Sequence, residues 1–307
     1  METKKKKKSK NKIISYFITY KTSWLMMLPY LLFFMVFTIL PVVASVVLSF
    51  TDYDMVQKPV FVGLENYFQI FLNDEYFIVA LKNTLVFAII IGPLSYVVCF
   101  LIAWMINELK PLARALVTAL FYIPTIVGAA GWSVWRLIFS SDQYGLINGF
   151  LMKWGLVNEP IGWLTDEARI MPVLIIVQLW MSMGISFLTF IAGFQNVDKT
   201  LYEAGMMDGV KNRFQELWYI TIPAMANQMI FAIVMQIVNC FAVGEVSSVL
   251  AGLPSTGYAG ETIVTHIMDY GNLRYEFGYA CAMGVVLVVM MQYSKKFATW
   301  LIGRMGH

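Results

Sequence analysis

"TLVFAIIIGPLSYVVCFLIAWMI" fills residues 84–106, a run of 23 positions without Asp, Glu, Lys or Arg. A bilayer core about 30 Å thick is crossed by roughly 20 helical residues, so this run is long enough to span a membrane. It is continuous rather than alternating, which excludes the strand pattern of a membrane β-barrel. Five further runs share its character, at residues 25–50, 115–135, 171–197, 217–244 and 277–294. None contains an acid or a base, and each such charge at the centre of a membrane helix costs about 2.5–3.5 kcal/mol on insertion scales. Of 307 residues, 59% are hydrophobic and 13% charged, with a mean hydropathy of +0.67, well outside the balance of a soluble domain. The expectation is an all-α integral membrane protein with six transmembrane helices.

The opening "METKKKKKSKNK" is basic, and the apolar run after it is too long for a signal-peptide core and lacks a small-residue cleavage site. Residues 1–23 therefore read as a basic cytosolic tail and residues 24–307 as the membrane domain, with the first run kept as an anchor. The lysine run suits a solvated tail near anionic lipid better than nucleic acid, since no aromatic or basic platform accompanies it. With the N-terminus inside, 16 of the 22 Lys and Arg fall on the cytosolic side, so the positive-inside rule predicts both termini in the cytosol.

Cys99, Cys240 and Cys281 all fall in apolar runs and are odd in number, which implies packing rather than a disulfide framework. No phosphate-binding loop, nucleophile elbow, zinc-protease helix or CxxC pair is present, so neither catalysis nor ATP hydrolysis is expected from this chain. The two histidines, His266 and His307, stand without metal-ligand neighbours in sequence, and surface positions are expected for them. No cofactor or metal site is assigned. If ATP drives the protein, ATP and Mg are bound by a separate subunit.

Between the fourth and fifth runs the chain makes no tight turn. Residues 196–223 form a polar insert that contains "EAGMMDGVKNRFQELWYITIP" at 203–223. Good helix formers reach Met207, and Asp208-Gly209 then reads as a stop, Gly being the residue that enters left-handed dihedrals. A second short helix over residues 212–219 follows, with Thr221 as a cap and Pro223 in the first turn of the fifth span, where no backbone donor is lost. Ala204 and Gly205 remove bulk while Tyr202, Met206, Met207 and Phe214 supply apolar knobs, a pattern for insertion into a partner's groove or for resting on headgroups.

"EAGMMDG" followed by "ITIP" resembles the EAA loop of the membrane subunits of bacterial ABC importers. Gly205 stands where that family usually has Ala, and the gap from Gly209 to Ile220 is one residue longer than its commonest form. The resemblance implies a cytosolic coupling helix between spans four and five that sits in a cleft of the ATPase, with Glu203, Ala204, Gly205, Asp208, Gly209, Ile220 and Pro223 in that role. "FVGLENY" (61–67), "NTL" (83–85), "YIPTIVGAAGWSVWRLIF" (122–139) and "YGLIN" (144–148) are similar to sugar permeases of the first-subunit type, whereas "AGLPSTGYAGET" (251–262) departs from the family's Gly-Gly-Pro. The likeness covers about residues 24–302. It implies a carbohydrate permease in the bacterial cell membrane, paired with a second permease as a heterodimer, with ABC ATPase subunits and an extracellular solute-binding protein, and with sugar and membrane lipid as its other contacts.

Helical periodicity offers a separate reading, because a solute path needs polar faces on several spans. Gln178, Ser182, Ser186 and Thr189 fall on one side of span four, and Gln228, Gln236 and Asn239 on one side of span five. Thr118, Tyr122, Thr125 and Ser133 form a stripe on span three with Trp132 beside it and Arg136 at its end. Uncharged hydrogen-bonding groups and aromatics suit a neutral, hydroxyl-rich solute. The same residue types also bond across helix interfaces, and the three stripes together favour a path over that reading. Glu245, just past span five, reads either as an interfacial cap or as an acceptor for a sugar hydroxyl. Two rival functions stand beside sugar import. An ion-coupled secondary transporter would need buried carboxylates at mid-membrane, and an ABC permease for a polyol or glycerol phosphate would need several cations along the path.

Overall fold

The apolar runs fold as helices in the computed structural model, which describes residues 19–303. The lysine run of the tail, Arg304 and His307 lie outside the described residues. The first span is α1 (Lys21–Leu48), followed by a two-residue antiparallel ribbon of β1 (Thr51–Asp52) and β2 (Val60–Phe61), in which Thr51 faces Phe61. Next come α2 (Glu75–Asn107), α3 (Pro111–Val127), α4 (Ala129–Ile138), α5 (Leu146–Lys153), α6 (Glu167–Met181) and α7 (Ile185–Asn196). The insert forms α8 (Lys199–Met207) and α9 (Arg213–Glu216), and the chain ends with α10 (Ala226–Phe241), α11 (Glu245–Leu250), α12 (Ile263–Met268) and α13 (Phe277–Gly303).

Among the described residues, five units are long and apolar enough to cross a membrane: α1, α2, α6 with α7, α10 with α11, and α13. The pair α3 and α4, bent by 95°, makes the sixth if taken as one span. The expected runs at 115–135, 171–197 and 217–244 are therefore not continuous helices. The first two are interrupted beside a glycine, Gly128 at φ +52° and Gly184 at φ −108° and ψ −129°; the third turns at Met225, φ −97° and ψ 11°, and ends at a further break beside Gly244, φ −144° and ψ −45°. Because helix resumes after the Gly244 break, Glu245 lies within the unit Ala226–Leu250 and not beyond it. Span five thus carries a charge outside its apolar run, as α2 does with Glu75 and Lys82 and α6 with Glu167 and Arg169.

Side-chain oxygens start several of these elements by accepting from the free N–H groups of the first turn. Asp74 accepts from the Phe77 N–H at 2.9 Å, Asp166 from Ala168 at 3.1 Å and Asp198 from Thr200 at 3.0 Å. Two wide π turns, Met35–Ile39 and Leu217–Thr221, each end two residues before a proline, Pro41 and Pro223. A proline ring clashes with the carbonyl four residues back, and a widened turn makes room for it inside an otherwise helical path.

The bundle is built round α2, which packs against α7, α10 and α6. Phe100 meets Phe190 and Phe194 with ring centroids 5.3 Å apart in both pairs, beside Cys99, Ala103 and Met225. Lipid tails are as apolar as leucine, so close backbone approach and interhelical hydrogen bonds hold such helices together. Both devices are present. The Ser186 hydroxyl donates to the Ala232 carbonyl at 3.1 Å and the Gln236 amide to the Ser95 hydroxyl at 2.6 Å. At Gly193 a Cβ would stand 2.5 Å from Met225 Cε and 3.4 Å from Gln228. Gly193→Leu should lower stability by about 1–3 kcal/mol through overpacking, read as a lower melting temperature of the purified chain in detergent.

Candidate functional site

The insert folds into a compact surface unit. Helix α8 ends in a Schellman arrangement: the Val210 N–H donates to the Gly205 carbonyl at 2.9 Å and the Gly209 N–H to Met206 at 3.3 Å, with Gly209 at φ +93°. The stop expected at Asp208-Gly209 is where the structure has it. Asn212 then caps α9 by accepting from the Gln215 N–H at 2.9 Å. Glu203, Ala204, Asp208 and Gly209 are exposed, as is Pro223, while Gly205 is buried and Ile220 half-buried. Met207 is 89% and Phe214 72% exposed, so apolar knobs do stand out from this surface.

Two details differ from expectation. Thr221 caps nothing: it lies in helical conformation, and its hydroxyl donates to the Glu216 carbonyl while pairing with the Tyr202 hydroxyl at 2.9 Å. The second short helix does not stop before span five but runs through the π turn into it, because that turn absorbs Pro223. Gly205 is also more than the loss of a methyl group. A Cβ there would stand 2.5 Å from Ile220 Cδ1, so the glycine lets Ile220 lie across α8. Arg213 pairs with Glu108 in the turn between α2 and α3 at 3.4 Å, and Phe214 packs on Trp104 at 5.3 Å. An open cleft of about 730 Å³ runs between the insert and that turn.

The polar stripes are only partly gathered. Gln236 lines a cavity of about 420 Å³ between α2, α10 and α13, together with Tyr96 and Cys240. The Gln236 Oε1 and the Tyr96 hydroxyl are buried there without a hydrogen-bond partner. Tyr122 and Thr118 line a different, shallower recess of about 360 Å³. Trp132 and Ser182 face the interior: Trp132 belongs to the core around Phe87 and Ile91, and the Ser182 hydroxyl donates to the Leu179 carbonyl at 2.6 Å. Gln178 and Asn239 are half-buried and Glu245 is exposed.

Sequence spacing missed one cluster entirely. His266 is not at the surface; it is 1% exposed, with Nε2 at 2.9 Å from Asp74 Oδ2 and Nδ1 at 3.8 Å from the buried Glu261. The Tyr279 hydroxyl donates to the same Asp74 oxygen at 2.7 Å. The cluster thereby ties the start of α2 to α12 and to the start of α13. Burial pushes the Asp74 carboxyl upward, but the hydrogen bonds from His266, the Phe77 N–H and Tyr279 outweigh it and hold the group at about 2. Burial likewise opposes the imidazolium, yet the hydrogen bond to Asp74 and the nearby charges of Asp74 and Glu261 raise His266 to about 9.

Residues 100–306 match the family described as binding-protein-dependent transport system inner membrane component. The chain belongs to that family. This inner membrane component is 31% identical over 264 residues to the arabinooligosaccharides transport system permease protein AraP of Bacillus subtilis, covering 86% of this chain and 82% of that one. It is 31% identical over 266 residues to the probable ABC transporter permease protein YesP of the same organism, covering 86% and 84%, and 29% identical over 275 residues to the lactose transport system permease protein LacF of Rhizobium radiobacter, covering 87% and 89%. A chain in the crystal structure of a bacterial ABC transporter for the acidic polysaccharide alginate shares its fold at a TM-score of 0.79 and 23% identity, over 96% of this chain and 100% of that one. The chain is accordingly a multi-pass membrane protein and the translocating, non-catalytic component of an ABC transporter.

In this permease the Asp74–His266 pair makes stability depend on pH at both extremes. His266 titrates near 9, above the ordinary 6.5, so its share is complete below 6.5 and is lost as pH rises through 9. Asp74 titrates near 2, below the ordinary 3.8, so its share is complete above 3.8 and is lost as pH falls through 2. The melting temperature should therefore drop from about pH 6 to about pH 10 in the native chain and drop less in His266→Gln, which carries no titrating ring.

Proposed function

We propose that this permease is one of two unlike membrane subunits of an ATP-driven importer for a sugar or oligosaccharide, which an extracellular binding protein delivers. Both termini lie in the cytosol, and two ATPase subunits bind ATP and Mg. The single observation that carries the coupling half of this reading is the insert: an exposed, internally braced unit presenting Met206, Met207 and Phe214 and closed by a left-handed glycine. Glu203, Ala204, Asp208 and Gly209 face the ATPase, while Gly205, Ile220 and Pro223 hold the unit to span five. Movement of the ATPases is passed through it to the membrane helices, which alternate the side from which the solute is reached.

Support for the substrate class comes from relatives whose names refer to arabinooligosaccharides and lactose and from a few polar atoms set in recesses, of which the one at Gln236 is otherwise mostly apolar. The unpartnered Gln236 Oε1 and Tyr96 hydroxyl are suited to sugar hydroxyls, as is the Tyr122 hydroxyl in the neighbouring recess. Gln178, Asn239 and Glu245 complete the path once the second permease closes it, and Trp132 and Ser182 shape its wall from behind. A phosphate ester fits less well, because it calls for several cations along the path and the α3–α4 face carries two, Arg114 in the Tyr122 recess and Arg136 at its far end. Ion coupling draws no support from the buried carboxylates Asp74 and Glu261: Asp74 lies at the end of α2, and Glu261 precedes α12 outside the spans.

Asp208→Ala with Gly209→Val removes the helix stop and forces a β-branched residue to positive φ, at a local cost of about 1–3 kcal/mol. Membrane insertion should persist while binding-protein-stimulated ATP hydrolysis no longer drives uptake in vesicles. Normal uptake by that variant would refute the coupling role. Gln236→Leu should keep the chain folded and raise the sugar concentration needed for half-maximal uptake, since a lost hydrogen bond is worth about 0.5–1.5 kcal/mol.

A further inference from the structure

Helix α5, in the connection from α4 to α6, turns large apolar side chains outward and buries its one amide side chain. At 100° per residue Leu146, Phe150, Lys153 and Trp154 share one face of about 100° width. Leu146 is 58%, Phe150 56% and Trp154 69% exposed. The opposite face hides Asn148, a polar residue with no exposed surface. Asn148 is the hub of the connection: its amide donates to the carbonyls of Ser140 at 3.2 Å, Asp142 at 3.0 Å and Ile161 at 2.9 Å. Its Oδ1 accepts from the Ile161 N–H at 3.1 Å and the Trp163 indole at 2.9 Å. The backbone under α5 is thus held rigid by internal polar bonds, while the apolar side chains are turned outward.

We propose that α5 is an interfacial lipid-binding helix, lying in the headgroup layer with Leu146, Phe150 and Trp154 in the acyl boundary. Three observations favour lipid over a protein partner. The preceding helix α4 also exposes apolar side chains, Val134 and Leu137 at 58% each, and the bilayer already bounds the spans of this multi-pass chain. The charge of α5 is that of a headgroup site: Lys153 lies within the apolar face and is exposed, placed to extend its stem along lipid toward phosphate. The nearby carboxylate of Asp142 is occupied by the N–H groups of Tyr144 and Gly145, and Glu159 lies beyond the helix. Tyr144 and Trp154, exposed near either end of α5, are the aromatic types that collect at membrane interfaces. The inference does not rest on the substrate.

Spin labels at Leu146→Cys, Phe150→Cys and Trp154→Cys test it, with Gln143→Cys and Glu159→Cys as aqueous references. The full chain, its native cysteines replaced by alanine, is placed in phosphatidylethanolamine–phosphatidylglycerol vesicles both alone and with its partner subunits. Accessibility to oxygen relative to a water-soluble nickel chelate should be several-fold higher at positions 146, 150 and 154 than at the references, in both preparations. Reference-like accessibility at those three positions would overturn the proposal by showing them in water. Protection from both reagents, whether in the chain alone or only after assembly, would overturn it in favour of a protein cover.

Discussion

A backbone carbonyl or N–H inside a bilayer has no water to bond, so wherever a spanning helix is interrupted the freed groups must find partners within the protein. This constraint accounts for the arrangement around the breaks in spans four and five. At the first of these, the Ser182 carbonyl faces the Cys99 thiol at 3.8 Å, and the Met183 carbonyl accepts from Thr125 of α3 at 3.0 Å. At the second, the Val243 carbonyl accepts from Thr262 at 2.7 Å, and Ser247 in the following turn donates to the Gly260 carbonyl. The segment before α12 is therefore tied to span five at its interruption. It is held in turn by Asn83, whose amide donates to the Glu261 carbonyl at 2.9 Å, and by the Ile263 N–H, which donates to the Thr84 hydroxyl at 3.0 Å.

This dependence explains which features could be read from the chain. The apolar runs were legible because a charge in lipid is so costly that its absence over some 20 residues is informative. Gly209 was legible because it follows a run of good helix formers and Asp208, the place where a residue that enters left-handed dihedrals ends a helix. Gly128, Gly184 and Gly244 were not, since a glycine within an apolar run is equally at home as a packing contact, as Gly193 is. Glu245 was placed outside its span for the same reason: the break that admits it leaves no mark in composition. His266 was misread as a surface residue because its partner Asp74 lies 192 positions away, and only folding reveals the pair. Gly205 looked like a lost methyl group until Ile220 was found above it.

The candidate path was legible as a set of residue types and less so as a place. Periodicity assigns Ser182, Ser186 and Gln236 to polar faces, but a polar face on a membrane helix has two uses. Ser182 and Ser186 spend their hydroxyls on carbonyls within the bundle, whereas Gln236 bonds Ser95 through its amide and keeps Oε1 free. Counting which side-chain atoms remain unpartnered separates these uses where hydropathy does not. Among the described residues it leaves Gln236 Oε1 and the Tyr96 hydroxyl free in one cavity, and likewise the Thr118 hydroxyl, the Trp132 indole and Gln228 Oε1 of the stripes.

The π turn at Leu217–Thr221 has a mechanical consequence. By carrying α9 through Pro223 almost without interruption, it makes α9 and α10 nearly one rod, with a joint at the buried Met225, where φ −97° and ψ 11° leave the helical range. Gln236 lies on the far arm of that rod, roughly 15 Å from the joint at about 1.5 Å per residue. A tilt of about 10° at Met225 would displace Gln236 by roughly 3 Å over that arm. A stroke of that size equals a whole hydrogen-bond length, enough to part Gln236 from Ser95 and change what the free oxygen can grip.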